Sequence, residues 1–183
     1  MKRRRGSLAK GPALVLAALI GQAAGCGYAW VGATGEDALG RVAVETPENA
    51  SRQGGLEFVV ADALRREVLR RAGAQLVEDP GEADWVVGGR VLPLRIEPAS
   101  LSPVVLTLEY ELTLELALHA RARDGREVGG DARALRESER YLSSADVEAQ
   151  RKNRDEALRR VSRLLAARFL DLLAEDGRGE EGA

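Results

Sequence analysis

Few residues in this 183-residue chain have the types and spacing that catalysis needs. His119 is its only histidine and Cys26 its only cysteine, and Glu109, Glu111 and Glu115 form a short row of carboxylates. A general base needs a neighbour that orients it, and two carboxylates divide acid from base work only when their environments differ. Neither condition is visible in these residues. The three glutamates and His119 occupy alternate positions of a stretch whose other positions are apolar. The wet side of a half-buried strand produces such a row with no catalytic demand. No HExxH, GxSxG, phosphate-binding glycine loop or paired-cysteine signature occurs. The residues therefore point to binding or scaffolding, to no enzyme, and to no metal or cofactor.

Cys26 is the one residue with a definite chemistry. Met1 to Arg5 is basic, Gly11 to Ile20 is a short apolar run, and Gln22-Ala-Ala-Gly-Cys26 ends it on small residues. That is the anatomy of a secretory signal, and the run is too short to span a bilayer well. An ordinary signal needs only the small residues. A cysteine directly after them resembles the lipobox of bacterial lipoproteins, with Ala23 where leucine is commoner. Cleavage after Gly25 and lipid on Cys26 are the expectation. With Gly27 next rather than aspartate, the expected place is the outer membrane, anchored by lipid on the periplasmic side.

Removing residues 1–25 takes away Lys2, Arg3, Arg4, Arg5 and Lys10 and no acid, so 27 basic side chains fall to 22 against 29 acidic ones, a net of −7. Such a balance argues against nucleic acid as a partner, because phosphate binding needs a concentrated positive field. Residues 26–40 read as a lipidated tether, 41–176 as a single domain, and 177–183 as a disordered acidic tail.

Hydrophobic periodicity supplies the elements that must position any site. Arg41 to Glu45 is a short strand ended by Pro47, and a loop follows to Gly55. Leu56, Val59, Val60, Ala63, Leu64, Val68, Leu69 and Ala72 make one helical stripe, stopped at Gly73. A second strand, Trp85 to Glu97, changes parity midway; Gly88-Gly89 suggests a β-bulge and Pro93 an unpaired edge. Pro98 to Pro103 reads as a loop tip. Strict alternation from Leu106 to His119 gives one long strand with a dry face, turned at Asp124-Gly125 into a polar strand from Glu127 to Leu142. Ser143 or Ser144 is positioned to cap a last helix with Ala157, Leu158, Val161, Leu164, Leu165, Phe169, Leu172 and Leu173 on its stripe. The order β-α-β-β-β-α predicts an α+β two-layer sandwich, a four-stranded mixed or mostly antiparallel sheet with two amphipathic helices on one face.

Several local patterns together resemble the LptE family of lipopolysaccharide-assembly lipoproteins. They are Cys26-Gly27-Tyr28, Ala83-Asp84-Trp85-Val86-Val87-Gly88-Gly89-Arg90-Val91, the Glu109-Tyr110 start of the long strand, the Asp124-Gly125 turn, Tyr141, and the last helix around Ala157-Leu158. The resemblance implies a non-catalytic protein that plugs the lumen of the outer-membrane barrel LptD, assists its assembly, and helps deliver lipopolysaccharide to the cell surface. Arg95, Arg151, Lys152 and Arg154, near the loop tip and the start of the last helix, are then the candidates to pair with lipid A phosphates. A pilot lipoprotein for a different barrel, or a lipid-anchored hydrolase using His119 and Glu111, are the alternatives. The charged fourth strand (Arg133, Arg136, Glu137, Glu139, Arg140) departs from the family pattern.

Overall fold

Alternating hydrophobicity makes residues 107–122 one continuous strand, and the other elements are arranged around it. The computed structural model describes residues 39–101 and 107–180, so Cys26, Tyr28, Trp30 and the signal and tether assigned to residues 1–38 lie outside the described residues. In chain order the elements are β1 (Gly40–Val44), β2 (Glu48–Asn49), α1 (Leu56–Arg70), β3 (Ala74–Val77), β4 (Trp85–Val91), β5 (Arg95–Leu101), β6 (Thr107–Ala122), β7 (Glu127–Gly129), a 3-10 turn (Asp131–Arg133), β8 (Leu135–Leu142) and α2 (Val147–Glu180). Helix α2 thus runs into the polar stretch assigned to the tail.

The sheet is mixed, with the order β3-β1-β4-β6-β5 and β2, β7 and β8 attached beside that path. Strand β1 is parallel to both β3 and β4. Residues 116–122 of β6 pair with β4, and 107–113 with β5. Strand β8 takes residues 109–116 and β7 takes 119–121. Because a strand has two edges, these overlaps put β4 and β5 on one edge of β6 and β7 and β8 on the other. The α+β class holds, but the four expected strands become eight. Strands β2 and β3, two and four residues long, are too short to show a period. The 3-10 turn divides β7 from β8.

The parity slip in the second expected strand has a different location from the one expected. Gly88 and Gly89 stay in register with His119 and Leu118. Val91 pairs Leu116 and Arg95 pairs Thr113, so four steps on one chain face three on the other and one surplus residue falls in Leu92–Leu94. Pro93, which has no N–H to donate, sits in that break. The stretch 98–101, expected in a loop tip, continues β5.

One face of β6 is dry. Leu112, Leu114, Leu116 and Ala120 are fully buried, and Leu118 nearly so, in a core shared with Leu64, Val68, Leu165 and Phe169. Helix α2 packs on β6 and β8, and α1 on β1, β3 and α2. Two stripe assignments are corrected. Leu69 (67%), Leu164 (53%) and Leu172 (37%) are exposed, as is Ala72, while Ala61, Glu67, Ser162, Ala166 and Leu170 are buried. A helix wedged against both a sheet and another helix buries a broad arc that includes small and polar positions, which a narrow apolar stripe does not reveal. The α2 cap also lies further on: the Ala149 N–H donates to Asp146 Oδ1 at 2.8 Å, and Ser144 instead accepts from the Asp146 N–H at 3.2 Å.

Candidate interaction surface

The other face of β6 carries Glu109, Glu111, Thr113, Glu115 and His119, all partly exposed. Cross-strand neighbours project to the same face, so the register places Arg140 and Glu97 beside Glu111, Ser138 and Arg95 beside Thr113, and Arg136 beside Glu115. Arg140 Nε donates to Glu111 at 3.2 Å, and the Thr113 and Ser138 hydroxyls lie 2.8 Å apart. Charges of both signs are interleaved over this face, and no apolar patch interrupts the rungs of Glu111, Thr113 and Glu115. Exposed pairs of this kind contribute little stability, ~0–1 kcal/mol each.

The heavy charge of the fourth expected strand divides between two jobs. Arg136, Ser138 and Arg140 belong to the open face. Glu137 and Glu139 have the parity of buried Tyr141 and point to α2, where Arg168 and Arg160 meet them at 3.0 and 2.7 Å. Tyr141 stacks on Tyr110 with ring centres 5.5 Å apart, and burial raises its phenol pKa.

His119 sits in a cleft of about 270 Å³ with Glu48, Arg90, Glu127 and Asp131. Arg90 reaches Glu48 at 3.4 Å and Asp131 at 3.9 Å, so it pairs with two of the three acidic groups there. No serine, threonine or cysteine lines the cleft. Among the described residues no His/Cys/Asp/Glu group could hold a metal ion. This arrangement offers a polar contact surface and no nucleophile for a base to activate.

The binding candidates separate into two places. Arg95 is on the open sheet face, exposed and without an ion pair among the described residues. Arg151, Lys152 and Arg154 are in the first turns of α2, on the opposite side of the sheet. Each has a local carboxylate: Glu148 at 3.2 Å, Glu156 at 3.9 Å and Asp155 at 3.9 Å respectively. Cys26 lies outside the described residues.

A residue that the sequence gave no role is Asp84. Its carboxylate accepts from the Arg41 backbone N–H at 2.9 Å and from the Arg41 side chain at 3.2 and 3.3 Å. Arg123, just past β6, approaches at 3.6 Å, and the Asp84 N–H donates to the Arg41 carbonyl at 2.7 Å. One side chain thus ties together the starts of β1 and β4 and the end of β6. The hydrogen bonds from the Arg41 side chain and backbone lower the Asp84 pKa. A depressed carboxylate contributes stability that is present above its unfolded pKa of about 3.9 and lost as pH falls through the folded value. Acid unfolding of Asp84→Asn should therefore lack part of the wild-type loss below about pH 4; acid arms of equal steepness would refute this.

Comparison with known proteins agrees with this geometry. A family model described as LptE, lipopolysaccharide-assembly, matches residues 39–173. No curated protein matches. Among solved structures the chain is similar to the rare lipoprotein B of Shewanella oneidensis (15% identity, 77% of this chain and 98% of that one, TM-score 0.52). It is also similar to lipoprotein B of Nitrosomonas europaea (16%, 79% and 88%, TM-score 0.53) and to a protein of Xanthomonas campestris (17%, 77% and 89%, TM-score 0.54). At such identities the likeness shows the fold alone.

Proposed function

Because the chain belongs to the LptE family of lipopolysaccharide-assembly proteins, whose members are not enzymes, we propose that its open sheet face seats in the wet lumen of an LptD-like outer-membrane barrel. In this reading the protein is held at the periplasmic side of the outer membrane by lipid on Cys26. It assists assembly of the barrel and the delivery of lipopolysaccharide, with Arg95 and the Arg151–Arg154 turn as contacts to its phosphates.

The observation that carries the reading is the face built on Glu111, Thr113 and Glu115. Its charges are partly paired within the sheet and partly exposed, which suits a large barrel, whose interior is polar, better than contact with acyl chains. A pilot lipoprotein for another barrel would use the same chemistry, so the partner must be captured directly. Photo-crosslinkers at Thr113 and Ser138 should link to an LptD-like barrel in native membranes, and a crosslinker at buried Val161 should not. Depleting the protein should lower both assembled barrel and surface lipopolysaccharide. Crosslinks to an unrelated barrel would favour the pilot reading; normal barrel assembly and normal surface lipopolysaccharide after a clean deletion would refute the proposal.

A further inference from the structure

We infer that the outer edge of β8 is a docking edge for an extended protein segment that alternates apolar side chains with acidic and hydroxyl ones. Among the described residues β8 pairs with β6 alone, residue for residue from Leu135 to Leu142 and without a bulge. The Ser143 N–H donates to the Leu108 carbonyl at 2.9 Å, which fixes the parity of the ladder. Odd residues of β8 bond to β6, and Arg136, Ser138, Arg140 and Leu142 turn their backbone groups outward. At the two ends α2 side chains take a carbonyl. Asn153 Nδ2 donates to that of Leu142 at 3.0 Å and Arg168 Nη1 to that of Arg136 at 3.4 Å. Between them the N–H and C=O groups of Ser138 and Arg140 have no partner among the described residues. Proteins blunt such edges with prolines, bulges or charges. Strand β5 has Pro98 and a register shift beside it. Strand β8 has neither and carries charge instead.

Those charges select what can lie on the edge. On the open face an acidic column of β6, Glu111 and Glu115, stands beside a basic column of β8, Arg140 and Arg136, with Thr113 beside Ser138 between them. Arg136 has no ion pair among the described residues, and Arg140 has Glu111, on its inner side. A further strand with acids opposite Arg136 and Arg140 and a hydroxyl opposite Ser138 continues the alternation. On the other face Glu137 and Glu139 are already matched by Arg168 and Arg160. Leu164 lies one helical turn from both arginines and is 53% exposed, so it stands on the same flank of α2. The alternate residues of the segment therefore meet an apolar side chain. A second copy of β8 does not fit. Antiparallel pairing centred on Ser138 would set Arg136 against Arg140 and Glu137 against Glu139. Strands of the barrel partner alternate apolar with polar residues and have a free edge before closure; the chemistry of the β8 edge is independent of that reading.

The test measures fluorescence anisotropy of a labelled peptide mixed with the full chain. Its core is Glu-Leu-Thr-Leu-Glu, the order of residues 111–115 that faces β8 from inside the sheet. It should bind, and a peptide with lysine in place of both glutamates should bind roughly tenfold more weakly. Arg136→Glu with Arg140→Glu, both at exposed positions, should reverse that preference. N-methylation of one alternate set of peptide residues, those whose N–H faces β8, should abolish binding by the wild-type chain. N-methylation of the other set should leave it unchanged. Leu164→Ser should weaken binding severalfold. Equal binding of both peptides, a preference unmoved by the arginine substitutions, or equal tolerance of the two methylation patterns would overturn the inference. So would self-association of the chain that Ser138→Pro abolishes, which would make a second copy the occupant. Such a failure leaves the barrel crosslinks expected at Thr113 untouched, so the two readings fail separately.

Discussion

Leu114→Ala should lower the unfolding free energy by about 2–5 kcal/mol, and Leu112→Ala by a similar amount. Both side chains are fully buried at the centre of β6, flanked by β8 and covered by α2. Deletion loses the transfer free energy of the removed methyl and methylene groups and leaves a cavity that a strand hydrogen-bonded on two edges cannot collapse to fill. Thr113 lies between them on the open face, where its hydroxyl meets Ser138 at 2.8 Å. Thr113→Ala should cost less than about 1 kcal/mol. Urea unfolding of the full chain with unchanged slope measures all three. A larger loss at Thr113 than at the two leucines would mean that the wet and dry faces are reversed.

Gly89→Ala is the second large effect expected, about 3 kcal/mol or more of lost stability. Gly89 has φ +143, a region that residues with a side chain rarely adopt, and a Cβ there would collide with the Ala117 carbonyl and come within 2.8 Å of Leu118 Cα. Both obstacles are backbone of β6, held in register by β4. They cannot swing aside as a flexible side chain can. Gly54→Ala is the matched control, because a Cβ at Gly54 meets nothing within 4 Å, and its effect should stay within about 0.5 kcal/mol. Equal midpoints for the two variants in thermal or urea unfolding would refute the steric account.

How far these features could be read in advance depends on how local their causes are. The helix α1, the long strand β6, its Asp124-Gly125 turn and its dry and wet faces rest on periods of 3.6 and 2.0 and on turn chemistry. These act between residues close in the chain. The polar row of Glu109, Glu111 and Glu115 was legible for the same reason. Its alternation with leucine states which side meets water, whatever lies across from it. The parity change between Trp85 and Ile96 was legible too, as a count of one surplus residue.

Where that residue goes was decided elsewhere. Gly88-Gly89 has the composition of a bulge, yet β6 holds both in register and the surplus is displaced to Pro93, which has no hydrogen bond to lose. Asp84 shows the same division. Its type suits a turn or a cap, but its work comes from Arg41 and Arg123, 43 and 39 positions away, brought to it by sheet pairing. The fate of the arginines is likewise tertiary. Arg159 and Arg160 are adjacent and chemically identical, and only the rotation of α2 on β8 gives Arg160 a glutamate and turns Arg159 toward Asp62 and Arg66 of α1. Periodicity is written along the chain because its physics is short-ranged. Strand order, the site of the surplus residue and the pairing of charges depend on long-range contacts, which no local pattern encodes.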